Sequence, residues 1–172
     1  ERVRPYDVMG IVNVTPDSFS DGGRFLDPEA AVEHGLELAA AGADILDVGG
    51  ASTRPGAEPV PVDEELRRAI PVVERLAAAG QRVSIDTSHL DVARAALGAG
   101  ASIVNDVTAF RGAPELAGLV GESGADCCLV HMRGEPHTMQ RDIRYDDVVG
   151  EVKAFLEERL AFAVGEGIAE ER

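Results

Sequence analysis

"DPEAAVEHGLELAAAGADILDVGG", residues 27–50, decides the fold. Its first part carries a complete set of helix signals: Asp27 as N-cap, Pro28 in the first turn and Gly42 as terminator. "DILDVGG" (44–50) follows almost at once, apolar with little alternation, as strands buried on both faces read. A helix handing over so quickly to a doubly buried strand is half of a parallel-sheet repeat.

The same rhythm extends in both directions. "VMGIVNV" (8–14), "RVSIDTS" (82–88), "SIVNDV" (102–107) and "CCLVHM" (127–132) read as further buried strands. "VDEELRRAIPVVERLAAAG" reads as a helix starting at Asp63 with acidic residues in its first turn, and Pro71 is expected to kink it. "LDVARAALGAG", "APELAGLVGESG" and "YDDVVGEVKAFLEERLAFAVGEG" complete five strand-then-helix units. Alternation of this kind predicts a parallel α/β fold, doubly wound or barrel, and periodicity alone leaves both open. One domain over residues 1–172 is expected, and the pattern calls for a sixth strand after "GEGIAEER". With no initiator Met, residues are also expected ahead of Glu1.

Composition narrows the function. Thirty-one acidic against 16 basic residues give a net charge of −15. That excludes a phosphate-backbone partner, which needs clustered Lys and Arg, but not a small anionic substrate. No apolar run is long enough to span a membrane, and the start lacks a signal-peptide layout. The two cysteines, Cys127 and Cys128, are adjacent and have no distant partner, so a reducing cytoplasmic setting is expected.

Polar residues gather where strands end. Asn13 ends the first, Thr53 and Arg54 lie in the loop after the second, and Asp86 ends the third. Asn105 and Asp106 end the fourth, and His131 ends the fifth. In a parallel α/β fold all strand C-termini share one edge, the edge where ligands bind. Each residue also has a plainer explanation. Asn13 could cap its strand, Asp86 could cap the helix beginning near Ser88, and Asp106 could brace its loop.

"MGIVNVTPDSFSDGGRF" (9–25) and "DVGGASTRPGAEPV" (47–60) resemble the two signature segments of the dihydropteroate synthase family. "SIDTS", "IVNDV" and "HMRGEPHTMQ" match further blocks in the expected order. The resemblance implies a (β/α)8 barrel, of which this chain carries the first five units. It also implies joining 6-hydroxymethyl-7,8-dihydropterin diphosphate to p-aminobenzoate, with release of pyrophosphate and 7,8-dihydropteroate. Sulfonamide mimics of p-aminobenzoate target this family.

The same resemblance assigns roles. Asn13 would help hold Mg²⁺ on the diphosphate, its amide oxygen being a hard ligand. Arg54 would grip the diphosphate through its planar fork. Thr53, Pro55 and Phe19 would form the p-aminobenzoate pocket, Phe19 as a lid over the flat ring. Asp86 and Asn105 would read the pterin edge, which carries amino and ring N–H donors. Arg54 and Asp86 would be the catalytic residues. Met132 and Met139 would contact substrate, although a Met beside an apolar segment more often packs.

Two positions depart from the family pattern: Ala51 stands where it has Glu, and His89 where it often has Lys. The strands that supply the family's later aspartate, lysine, arginine and histidine are not among the five units. On this resemblance five units alone are not a competent enzyme, and the family's homodimer uses helices from the later part. Two alternatives stand beside it: the pterin-binding domain of a methyltransferase, which lacks the long "NVTPDSFSDGG" loop, and a non-catalytic paralogue, to which Ala51 leans.

Overall fold

The computed structural model describes residues 6–15, 27–52, 59–134 and 143–172. Five strands and five helices alternate: β1 (Met9–Asn13), α1 (Pro28–Ala41), β2 (Ile45–Gly49), α2 (Val62–Ala78), β3 (Val83–Asp86), α3 (Leu90–Gly98), β4 (Ile103–Asp106), α4 (Glu115–Ser123), β5 (Asp126–Leu129) and α5 (Val148–Gly165). All pairings are parallel and the strand order is β1-β2-β3-β4-β5. A doubly wound sheet must reverse direction at a switch point, whereas here each strand is added beside its predecessor. That is the winding of a barrel wall.

Local chemistry accounts for the helix ends. Asp27 accepts a hydrogen bond from the Glu29 N–H, Pro28 opens α1, and Gly42 closes it at φ 110°, a conformation that favours glycine. Helix α2 begins at Val62 after an N-cap at Pro61, one residue before the expected Asp63. Its acidic first turn (Asp63, Glu64, Glu65) suits the positive end of the helix dipole. Pro71 does not end α2, which runs on to Ala78 despite the backbone donor the ring removes.

The two faces of the sheet differ in chemistry. Val12, Leu46, Val48, Val83, Ile85 and Val104 turn to the helices and are almost completely buried. They meet Ala69, Val72, Val73 and Leu76 of α2, Val92 and Ala96 of α3, and Leu116 and Val120 of α4. Each such aliphatic side chain contributes roughly 1.5–3 kcal/mol on burial. Gly35 lets α1 close on α2: a Cβ there would stand 3.0 Å from a Leu76 methyl. Residues two apart on a strand share a face, so the other face carries Ile11, Asn13, Asp47, Gly49, Ser84, Asp86, Ile103 and Asn105. Strands β1 and β5 form the sheet edges, where Ile11 is 51% exposed. The outer face of α5 is apolar and open, with Val149 75% exposed and Leu160 52%.

Candidate functional site

Strand register builds the site. Asn13 pairs with Gly49, Gly49 with Asp86, Asp86 with Asn105, and Asn105 with Cys128. The result is one row across the C-terminal edge of the sheet. A second row lies one pleat deeper: Ile11, Asp47, Ser84, Ile103 and Asp126. Gly49 opens a gap in the first row, where a Cβ would sit 3.5 Å from Asp86 Oδ2 and 3.7 Å from Asn13 Oδ1.

The face carries buried polar atoms without partners, three acceptor oxygens and one hydroxyl. Asp86 Oδ1, Asn105 Oδ1, Asp47 Oδ1 and Ser84 Oγ are buried and have no hydrogen-bond partner among the described residues. Buried polar atoms are nearly always paired, so four on one face call for an incoming ligand or water. Asn105 Nδ2 donates to Asp47 Oδ2 at 2.9 Å. Burial pushes the Asp86 carboxyl up to about 7, and the neighbouring charges of Asp47, Glu65 and Asp106 push the same way. Asp47, 2% exposed, is also raised by burial, while the nearby Ser84 hydroxyl and the Asn105 amide temper the rise.

Supporting residues fix the loops behind this row. Buried Asp106 accepts from Ser88 Oγ (2.9 Å), the Thr108 N–H (2.8 Å), Thr108 Oγ1 (2.8 Å) and the Phe110 N–H (2.7 Å). Those bonds hold a turn in which Ala109 and Phe110 have φ of 51° and 63°, rare for residues with side chains. Arg159 of α5 adds a bond to the Ala109 carbonyl at 2.8 Å. Asp106 is therefore the loop brace.

Glu65, 1% exposed, accepts from Thr87 Oγ1 at 2.6 Å and sits 2.6 Å from His89 Nδ1. His89 is the N-cap residue of α3 and its N–H is bonded to Thr87 Oγ1, so Asp86 does not cap that helix. At the end of β2, Arg68 Nη1 donates to the Gly50 carbonyl at 3.2 Å. A Cβ at Gly50 would stand 3.0 Å from the Glu65 Cγ and carbonyl. Helix α2 thus holds both the start of the loop carrying Ala51 and the turn after Asp86.

A model of the family described as pterin binding enzyme matches residues 9–172. The chain belongs to the pterin-binding enzyme family. Dihydropteroate synthase of Mycobacterium leprae is 51% identical over 168 residues, covering 95% of this chain and 58% of that protein. The Xanthomonas albilineans dihydropteroate synthase structure with 4-aminobenzoic acid superposes with TM-score 0.86 at 53% identity, covering 96% of this chain and 59% of that one. The Burkholderia cenocepacia enzyme complexed with 7,8-dihydropteroate gives TM-score 0.83 at 44% identity, covering 99% of this chain and 57% of that one. The chain therefore spans under two thirds of these relatives' length, and its five-stranded wall is part of their barrel.

Within the family pattern, the structure brings Asp86 and Asn105 side by side and sets Asn13 in the same row beyond Gly49. Met132 is buried at the same end of the sheet, and its carbonyl accepts from Arg111 Nη2 at 3.1 Å. His131 does not end β5, which stops at Leu129; its ring packs edge-on against Phe155 at 4.9 Å. Phe19, Thr53, Arg54, Pro55 and Met139 lie outside the described residues. Sequence reading missed Asp47, Ser84 and Glu65. The available signal for the first two was the period of two: each precedes a strand-end residue of the site row by two positions.

Among the described residues, no group of three or more His, Cys, Asp or Glu could hold a metal ion. Asn13 fits a narrower role. Its side chain is exposed at the strand end and offers one hard oxygen, as suits a Mg²⁺ held mostly by phosphate and water.

Proposed function

We infer that this chain forms the pterin-binding wall of a dihydropteroate synthase, which joins 6-hydroxymethyl-7,8-dihydropterin diphosphate to p-aminobenzoate. One observation carries the reading: Asp86 and Asn105, register partners on β3 and β4, each hold a buried unpartnered oxygen at the C-terminal edge of a barrel sheet. A pterin edge supplies the missing donors through its 2-amino group and ring N–H. A carboxylate accepts both together best when ionised, so binding draws the proton off Asp86.

With the pterin held this way, its exocyclic methylene and diphosphate extend past Gly49 toward Asn13. The C–O bond to the diphosphate breaks, pyrophosphate departs, and the positive charge left on the methylene is spread over the pterin ring. The arylamine nitrogen attacks that carbon and then loses a proton. Arg54 serves the leaving anion, while Thr53, Pro55 and Phe19 serve the arylamine, from the sequence segments that follow β1 and β2. Asn13 would hold Mg²⁺, which supplies charge neutralisation for the leaving diphosphate. Catalysis is positioning plus electrostatic stabilisation, with no nucleophilic side chain. Met132 and Met139 complete the substrate contacts in this reading.

The free thiols of Cys127 and Cys128 suit a cytoplasmic location, and no described helix is long and apolar enough to cross a membrane. The full-length protein is read as a homodimer in solution, which sedimentation of that longer chain tests. The functional test is calorimetric titration with 7,8-dihydropterin. The wild type binds it, and Asp86→Ala and Asn105→Ala each weaken binding at least about tenfold, the equivalent of one hydrogen bond to a charged or buried group. Absence of binding to the wild type overturns the reading.

A further inference from the structure

Asp47 contributes nothing to the strand-end row, yet it is among the most deeply buried polar residues in the described chain. It lies one pleat below, and its Oδ2 takes the hydrogen bond of Asn105 Nδ2 at 2.9 Å. An amide can present either its oxygen or its nitrogen to a cavity. With Asp47 ionised, one orientation is excluded: flipping the amide would press Asn105 Oδ1 against a carboxylate oxygen, acceptor against acceptor. Only the observed orientation satisfies the pair, and it leaves Asn105 Oδ1 unpartnered, as is Oδ1 of its register partner Asp86.

We propose that Asp47 is a positioning residue for ligand specificity: its carboxylate locks the Asn105 amide so that Asn105 turns its oxygen, an acceptor, to the bound heterocycle. The ligand must then bring donors to both Asp86 and Asn105. A ring with a carbonyl in place of the 2-amino group meets an oxygen it cannot pair with. Rejection is strong, because the buried oxygens on both sides stay unsatisfied. The lock depends on Asp47 being purely an acceptor. An amide at position 47 can donate or accept, so Asn105 could turn either way and the site would accommodate a donor or an acceptor on the ring.

This inference rests on the pterin reading above, and the test separates the two. Calorimetric titrations at pH 8 use 7,8-dihydropterin and its 2-oxo analogue against the wild type and Asp47→Asn. The wild type favours the 2-amino ring by roughly a hundredfold or more, as expected where a missing donor leaves buried acceptors unpaired. In Asp47→Asn that preference shrinks by about tenfold, the worth of one such hydrogen bond. An unchanged preference overturns the role of Asp47 while leaving the pterin reading intact. No binding of 7,8-dihydropterin to the wild type overturns both.

A second measurement needs no variant. Residues 1–172 hold two asparagines, Asn13 and Asn105, so asparagine-selective ¹⁵N labelling of this segment gives two side-chain amides. Asn13 is exposed at its strand end. One amide should therefore exchange freely, and the other should show a single downfield, slowly exchanging proton from the bond to Asp47. Two freely exchanging amides overturn the lock, even if Asp47→Asn does not fold.

Discussion

Replacing Asp86 by Asn should stabilise the ligand-free protein, by an amount that depends on pH. Burial and three neighbouring carboxylates raise the Asp86 carboxyl from its ordinary 3.8 to about 7. A raised acid binds its proton more tightly folded than unfolded, so stability falls as pH climbs from the unfolded value through the folded one. Above pH 7 the cost is complete. At 1.36 kcal/mol per pH unit, the gap amounts to about 4 kcal/mol as a ceiling. Solvent access at the sheet edge reduces this to roughly 2–4 kcal/mol.

At pH 5 the carboxyl is still protonated when folded and mostly ionised when unfolded, and the cost is about 1.5 kcal/mol. Asparagine has nearly the same shape and no charge, so it removes the cost at both pH values. Urea unfolding of the wild type and Asp86→Asn at pH 5 and pH 8 measures the difference. The variant should gain on the wild type as pH rises, while losing its affinity for 7,8-dihydropterin. A variant less stable at pH 8, or a stability difference that does not grow between the two pH values, would refute the reasoning.

Three further outcomes follow from the geometry. Gly49→Ala meets its neighbours at ordinary contact distances of 3.5 and 3.7 Å, so it should fold with stability within about 1 kcal/mol of wild type. Its methyl group nonetheless occupies the gap between Asn13 and Asp86, and titration should show weakened pterin binding. Gly50→Ala is the contrasting case: with the Glu65 Cγ and carbonyl at 3.0 Å, overpacking should cost roughly 1–3 kcal/mol in thermal unfolding. Asp106→Ala strips four hydrogen bonds from a buried turn and should cost roughly 3 kcal/mol or more in urea unfolding, whereas a loss below about 1 kcal/mol would contradict its role as brace.

Much of this architecture was legible from residues whose effects are local. Asp27, Pro28 and Gly42 mark the bounds of α1 because capping and left-handed termination act within a turn. Short apolar runs marked all five strands, although only β2 is buried along its whole length, while β1 alternates buried and exposed residues and β5 is half-buried. What periodicity left open, barrel or doubly wound, depends on which strand lies beside which. That is a long-range property, and the order β1-β2-β3-β4-β5 supplied it.

The site divides in the same way. Asn13, Asp86 and Asn105 were visible as polar residues ending apolar runs. Asp47 and Ser84 sit inside such runs, and their meaning emerges only when register brings them beneath that row. The plainer reading of Asp106 proved right and that of Asp86 did not. Asp106 spends both oxygens on its own loop and on Ser88 of the preceding turn, whereas Asp86 keeps one buried oxygen unpaired. His89 had stood out only as a departure from the family's usual Lys, and the structure gives it a partner in the buried Glu65 carboxylate.

The most direct test of the central claim is to count protons released when 7,8-dihydropterin binds, by calorimetry at pH 6 in buffers of different ionisation enthalpy. With Asp86 raised to about 7 in the free protein, most molecules carry that proton at pH 6. Binding should release close to one proton per ligand, declining toward zero by pH 8, and the release should vanish in Asp86→Asn. Tight binding with no proton release at pH 6 would show that the pterin does not engage an ionised Asp86, and would contradict the account.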